Sequence, residues 1–185
     1  MGEDAGGNAM ITRRSLLTMA SAVLGTPLLT MPARSKARLG EDGLYQSDWY
    51  LESFLDLADD LASTTRDGKR FAILWGLRNC PACRRLHEVH MADPATEAYI
   101  RGNFNILHLN ILGAREVTDF DGTKHPEKRF AARYGIIGTP AIQFFPSSAA
   151  GLADRQPRDR EVARMETLPE PEPFLAIFRK VLQAS

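Results

Sequence analysis

Two cysteines, Cys80 and Cys83, stand three residues apart where a continuous apolar run, Phe71-Ala72-Ile73-Leu74-Trp75-Gly76, gives way to a helical pattern, and the 185 residues hold no other cysteine. A buried strand that delivers a thiol pair to the start of a helix restricts the chain to α/β arrangements in which that strand is central and covered on both sides. As a staple the pair is poor, because the loop it closes is so short. Its value is chemical. A cysteine at a helix start meets exposed backbone N–H groups and the positive end of the helix dipole, which favour thiolate over thiol. Cysteines so placed have pKa values lowered to roughly 3.5–7.5. Cys80 is therefore expected to be the exposed nucleophile and Cys83, one turn along, the resolving thiol, with Pro81 fixing φ where a missing N–H costs little. Arg78, Arg84 and Arg85 stand close enough in sequence to push further toward thiolate.

The pattern on either side of this junction predicts the remaining elements. Residues 48–63 carry apolar side chains at Trp49, Leu51, Phe54, Leu55, Ala58, Leu61 and Ala62, near the 3.6 period of an amphipathic helix, with Asp48 as its N-cap. A turn over 64–69 leads into the strand. After Pro81 a helix with Leu86, Val89 and His90 at recurring positions runs to Asp93-Pro94, and a second helix covers about 96–102. Residues 105–112 read as a strand, 116–123 as a turn or small hairpin around Asp121-Gly122, and 126–134 as a helix with Phe130 and Ala131 inward and Gly135 as its stop. A strand at 141–145 follows, then an exposed loop at 147–160, a strand over 161–168 and a closing amphipathic helix at 173–183. The order is α-β-α-β-α-β-β-α.

The N-terminus bears on the compartment. Arg13-Arg14 precedes a short apolar stretch, 16–31, diluted by Ala, Gly, Thr and Pro27, and Ser35-Lys36-Ala37 offers small residues at a cleavage site. This is the outline of a twin-arginine export signal over residues 1–37, cleaved after Ala37, with a folded domain over 38–185 and the periplasm as destination. The stretch falls short of the roughly 20 apolar residues needed to span a bilayer. Residues 1–9 lack signal character, which makes Met10 a second candidate start. Lys+Arg and Asp+Glu number 23 each, so no basic surplus exists for a phosphate backbone, and nucleic acid is not an expected partner.

Taken together, strand, Trp75-Gly76-Leu77-Arg78-Asn79-Cys80-Pro81-Ala82-Cys83, helix, and a distant Gly138-Thr139-Pro140 before a strand resemble the thioredoxin family, and most of all the exported SoxW-like thioredoxins of sulfur-oxidising bacteria. The resemblance implies a three-layer α/β/α fold with a central mixed sheet and a monomeric thiol-disulfide oxidoreductase. It also implies a cis proline at Pro140 beside the cysteines, with Thr139 pairing to the substrate peptide. Protein disulfides would be the substrates, a membrane thiol-reductant would supply electrons, and no separate cofactor is required. Two positions depart from thioredoxins proper: Asn79 replaces a Trp, and Leu74 replaces a buried Asp that shuttles the resolving thiol's proton. His108 matches a lysine beside that carboxylate and is the candidate proton relay, against its reading as a partly exposed strand histidine.

Other arrangements yield less. Cys80, Cys83, His87 and His90 fall on one helical stripe, but four ligands on one helix cannot close around a single ion, so His87 and His90 are expected on the helix surface and no metal site is expected. A thiol-dependent binding module or metal carrier is the competing use of the cysteines. Arg84 stands where haem attachment needs a His. Trp49, Phe54, Phe130, Phe144 and Phe145 are expected in the core, and 154–160 in a solvated loop.

Overall fold

The computed structural model describes residues 38–184; the signal expected over 1–37 lies outside them. The described chain opens with a small antiparallel hairpin, Arg38–Leu39 (β1) and Tyr45–Gln46 (β2). Helix Leu57–Arg66 (α1) follows, capped by Asp56, whose side chain accepts from the Ala58 and Asp59 N–H groups. The expected start at Asp48 is thus wrong by two turns. Leu51 N–H bonds instead to Ile106 O at 2.9 Å, and Leu55 takes φ +64 just before the cap. That reversal turns Phe54 fully outward, contrary to its expected place in the core.

Strand Arg70–Gly76 (β3) is buried along almost its whole length. Helix Pro81–Arg85 (α2) continues into a single π-helical turn, Leu86–His90, and helix Pro94–Asn103 (α3) is capped by Asp93. Strand Phe104–Asn110 (β4) runs parallel to β3, with Leu74 beside His108. The hairpin Glu116–Thr118 (β5) and Lys124–Pro126 (β6) turns at Gly122, φ +76, and leads into helix Glu127–Arg133 (α4), which stops at Gly135, φ +66. Strands Ala141–Phe144 (β7) and Ala163–Met165 (β8) and helix Pro171–Gln183 (α5) complete the chain.

The central sheet has the order β4-β3-β7-β8, parallel between β3 and β4 and antiparallel elsewhere. Because β3 alternates, Phe71, Ile73 and Trp75 face α1 and α4 with Leu61, Phe130 and Tyr134, while Ala72 and Leu74 face the opposite layer with Leu86, Ile100, Phe174 and Phe178. This is the expected three-layer α/β fold with a mixed sheet.

The loop before β8 is mostly exposed, as expected, with Arg160 the departure from the solvated run expected over 154–160. It tightens into a 3₁₀ turn at Pro157–Arg160 that drives Arg160 inward to 2% exposure. There its guanidinium pairs with Asp119 at 2.7 Å and Asp121 at 3.0 Å, while Tyr134 O–H donates to Asp119 at 2.7 Å. Arg133 grips the same two carboxylates from α4. Partial desolvation of Asp121 is outweighed by hydrogen bonds from Thr123 and Arg160, which hold its carboxyl well below the ordinary carboxylate range.

Candidate active site

β3 ends in the loop 77–79, and the site begins at its last residue. Asn79 sits at φ +57, a left-handed conformation that asparagine tolerates better than a bulky residue. This explains locally why Asn suits a position filled by Trp in thioredoxins proper. Cys80 is the N-cap of α2 and Pro81 occupies the first turn. Cys80 Sγ accepts from the Cys83 N–H at 3.1 Å, so the sulfur takes the place that a capping oxygen fills in other helices.

Cys80 and Cys83 are joined as a disulfide, with Cα atoms 5.2 Å apart. The Thr139–Pro140 peptide bond is cis. It brings Thr139 Oγ1 to Cys80 Sγ as a donor at 3.3 Å, and Thr139 O to 3.6 Å from the same sulfur. Residues 59 positions apart thus converge on one atom. Cys80, expected to be exposed, is itself largely covered at 8%, and Cys83 more so at 3%. Of the arginines expected to enrich the site in positive charge, Arg84 is paired with Glu88 and Arg85 with Glu170, both at 2.8 Å, so they contribute less than their sequence positions suggested.

The two histidines expected on the helix surface are buried. The π turn widens the helix by one residue per turn, with Met91 N–H bonding to Leu86 O, and so rotates His87 and His90 inward. A carbonyl can only accept, so His87 Nδ1–H donates to Cys83 O at 2.8 Å, and Nε2 accepts from Tyr50 O–H at 2.7 Å. Burial lowers the His87 pKa. His90 Nε2–H donates to Pro169 O at 2.8 Å, tying this helix to the segment before α5.

His108, 7% exposed, lines the same crevice as Cys83. Tyr50 and His87 flank it with ring centroids at 5.4 and 6.0 Å, and a side chain at Gly76 would run into its Nε2. Both of its ring nitrogens are buried without a hydrogen-bond partner. Desolvation pushes its pKa down to about 3, with smaller contributions from His87 and Arg115. His108 is therefore a dry, neutral imidazole, not a partly exposed strand residue. It shares a crevice too narrow for water with Cys83, His87, Pro140, Leu44 and Tyr45. The structure thus brings Cys80, Cys83, Thr139, Pro140 and His108 together.

Sequence reasoning missed Tyr50, the inward turn of His87, and the Leu44–Tyr45 cover. A usable signal existed for His87, four residues after Cys83, but it depended on a π turn. Among the described residues no three His, Cys, Asp or Glu side chains converge as a metal site.

A family model for the thioredoxin-like domain matches residues 57–181, taking in every element from α1 through most of α5. The chain belongs to the thioredoxin-like family. This thioredoxin-like protein is similar in fold to a thioredoxin from Thermus thermophilus, at 21% identity over 69% of this chain and 84% of that one, with a TM-score of 0.51. It is also similar to the DsbH oxidoreductase, at 15% identity over 87% and 96% of the two chains and a TM-score of 0.50. A thioredoxin-fold protein from Helicobacter pylori gives 15% identity, 66% and 81% coverage and a TM-score of 0.50. Comparison with curated proteins gives no match. The fold together with the adjacent cysteine pair supports thiol-disulfide oxidoreductase chemistry in general.

Proposed function

We propose that this thioredoxin-like protein is a periplasmic thiol-disulfide oxidoreductase that works as a monomer and reduces disulfides of envelope proteins. The observation that carries the reading is the environment of Cys80 Sγ, which caps a helix and receives hydrogen bonds from the Cys83 N–H and the Thr139 hydroxyl. Both donors stabilise a thiolate more than a thiol, because hydrogen bonds to charged acceptors are the stronger ones.

In the reduced protein, the Cys80 thiolate attacks one sulfur of a substrate disulfide. A Cys80–substrate disulfide forms and the other substrate sulfur leaves as thiolate. Cys83 then gives its proton to His108 and attacks Cys80 Sγ, so the Cys80–Cys83 disulfide closes and the second substrate sulfur leaves with the electron pair. Two electrons have passed to the substrate, and a membrane dithiol donor restores the reduced pair. Thr139 and Pro140 offer the backbone edge on which a substrate peptide lies beside Cys80.

The direction follows from Pro81-Ala82. This dipeptide supplies neither charge nor a side-chain donor to stabilise the Cys80 thiolate further, which favours a potential between those of thioredoxin and protein disulfide isomerase, roughly −270 to −180 mV. The paired state of Arg84 and Arg85 supports the same direction. Export rests on Arg13-Arg14 and the weakly apolar stretch after them, and the likeness to SoxW-like thioredoxins rests on the motifs around Cys80 and Pro140.

Insulin reduction by the wild type and by Cys80→Ser tests the activity. Turnover in the first and none in the second is expected, whereas a wild type without turnover would favour a thiol-dependent binding module or carrier. Thiol trapping in cells tests the direction: the pair should be largely reduced while the membrane donor is present and oxidised without it. A pair oxidised in both strains would make the protein an oxidant.

A further inference from the structure

The hairpin formed by β1 and β2 lies outside the family's domain, which begins at residue 57, yet it contacts the working end of the molecule. Its two strands pair with each other, Arg38 with Gln46 and Leu39 with Tyr45, and among the described residues neither joins the central sheet. What secures it is the site itself. Leu44, 1% exposed, closes with Tyr45 the crevice that Cys83, His108 and Pro140 line from the other sides. The Tyr45 ring lies 5.9 Å from the His87 ring. Arg78, on the loop that carries the thiols, donates from Nε to Asp42 O at 3.2 Å. Gly43, at φ +77, is pressed so closely against Arg78 that a side chain there would meet its Nε at 2.8 Å. The turn is shaped for this contact, with Gly40 N–H bonded to Leu44 O at 2.8 Å and Leu44 N–H to Asp42 Oδ1 at 3.0 Å.

We propose that this hairpin is a working part of the site, a strap pinned by Leu44 that closes the cavity behind the disulfide and leaves Cys80 as the only route to Cys83. The inference rests on the oxidoreductase reading and adds a positioning role to residues 42–45. With the strap docked, the Cys83 thiol is reached only by a sulfur bound to Cys80, so resolution within the protein wins over any second disulfide in solution. With the strap peeled away, a small disulfide reaches Cys83 directly. The Cys83 thiolate then attacks it, one Cys83–sulfur bond forms, the original sulfur–sulfur bond breaks, and the other half leaves as thiolate. The strap thereby separates the two thiols into one that meets substrates and one that does not. Leu44 achieves this through apolar contact alone, which also keeps water from His108.

The test uses the full chain with Cys80→Ser, in which Cys83 is the sole thiol, exposed in turn to iodoacetamide and to oxidised glutathione and followed by mass. In this parent, Cys83 should react slowly. Adding Leu44→Asp should raise both rates about tenfold to a hundredfold, the range set by losing one buried leucine from the docked strap. Gly43→Val works by a different route, through the left-handed backbone and the Arg78 contact, and should raise both rates about tenfold. Amide protection of β3 is measured alongside, so that a local opening is told from unfolding. Should Leu44→Asp lose that protection, Gly43→Val decides. Unchanged Cys83 rates in a strap variant with intact β3 protection overturn the proposal. No turnover enters this measurement, so it can fail while the insulin assay succeeds, and the reverse.

Discussion

Acidifying the oxidised protein should destabilise it through His108, and the size of the effect follows from the burial of that residue. In the folded chain the imidazole has no hydrogen-bond partner and a pKa of about 3, against 6.5 for an exposed histidine. Between those values the unfolded chain binds a proton at position 108 that the folded chain does not. Stability therefore rises with pH across this window, is fully present above 6.5, and is lost as the pH falls toward 3. One proton of difference corresponds to about 1.4 kcal/mol per pH unit, so descending from neutrality to about pH 4.5 costs about 3 kcal/mol at this residue. That is a large share of the roughly 5–15 kcal/mol that holds a typical domain together. His87, also lowered by burial, acts in the same direction.

Asp60 acts in the opposite sense. Burial raises its carboxyl to about 6, only partly offset by the bond from Ser53, so the folded chain keeps a proton that the unfolded chain releases above 3.8. Its share of the stability is therefore lost as pH rises through that interval, and it flattens the wild-type profile. The decisive comparison is the wild type against His108→Leu, since Asp60 is common to both. Urea unfolding at a series of pH values should show His108→Leu losing about 3 kcal/mol less than the wild type between neutrality and about pH 4.5. Parallel profiles would refute the claim that the histidine is held neutral by burial.

Three further outcomes are expected. Iodoacetamide at neutral pH should label Cys80 in the reduced protein well ahead of Cys83, because the first is the cap and the second lies inward; peptide mapping reads the ratio, and preferential labelling of Cys83 would reverse their roles. Thr139→Val removes the hydroxyl donor 3.3 Å from Cys80 Sγ and should raise the Cys80 thiol pKa by about one unit, read from thiolate absorbance against pH, while an unmoved titration would show that this bond is not retained on reduction. Arg160→Met leaves Asp119 and Asp121 facing each other without their buried cation and should cost about 3 kcal/mol in urea unfolding; a loss below about 1 kcal/mol would mean that Arg133 alone satisfies both carboxylates.

Elements set by local chemistry were legible in the sequence: the apolar run of β3, the Asp121-Gly122 hairpin, and α4 with its glycine stop. The thiol pair was legible for the same reason, since its spacing places both sulfurs within one turn. What escaped was set by partners remote in sequence. Asp48 and Asp56 both precede a helical apolar period, and bonds to remote strands, from Leu51 N–H to Ile106 O on β4 and from Thr118 N–H on β5 to Leu55 O, hold the segment extended until the second. The inward histidines depend on a π turn, which a pattern read at 3.6 residues per turn cannot contain. Arg160 looked solvated because the carboxylates that receive it lie 41 and 39 residues earlier, in the hairpin region. His108 was recoverable: it shares a face of β4 with Phe104 and Ile106, and a strand covered on both sides leaves no partly exposed position there.

On the proposed mechanism, Leu74, His108 and Gly76 together answer the problem of moving a proton in a crevice too narrow for water. Thioredoxins proper are expected to keep a carboxylate where Leu74 stands, and a buried carboxylate carries a desolvation cost whenever it is ionised. Here the neighbouring strand supplies an imidazole instead, in register with Leu74, and Gly76 leaves the volume that its ring occupies. At rest the imidazole is uncharged, so no buried charge has to be stabilised while the protein waits. An imidazole with a pKa near 3 is a weak base, but that value belongs to the oxidised state, in which no anion faces it. On the proposed mechanism the Cys83 thiolate develops in the same crevice during resolution, and in a water-free space an adjacent negative charge raises the proton affinity of the ring steeply. The base therefore strengthens as the thiol beside it gives up its proton. The dryness that weakens His108 at rest strengthens it at that moment, which gives the strap pinned by Leu44 a chemical purpose: a water molecule in the crevice would hydrate both partners and weaken the coupling between them.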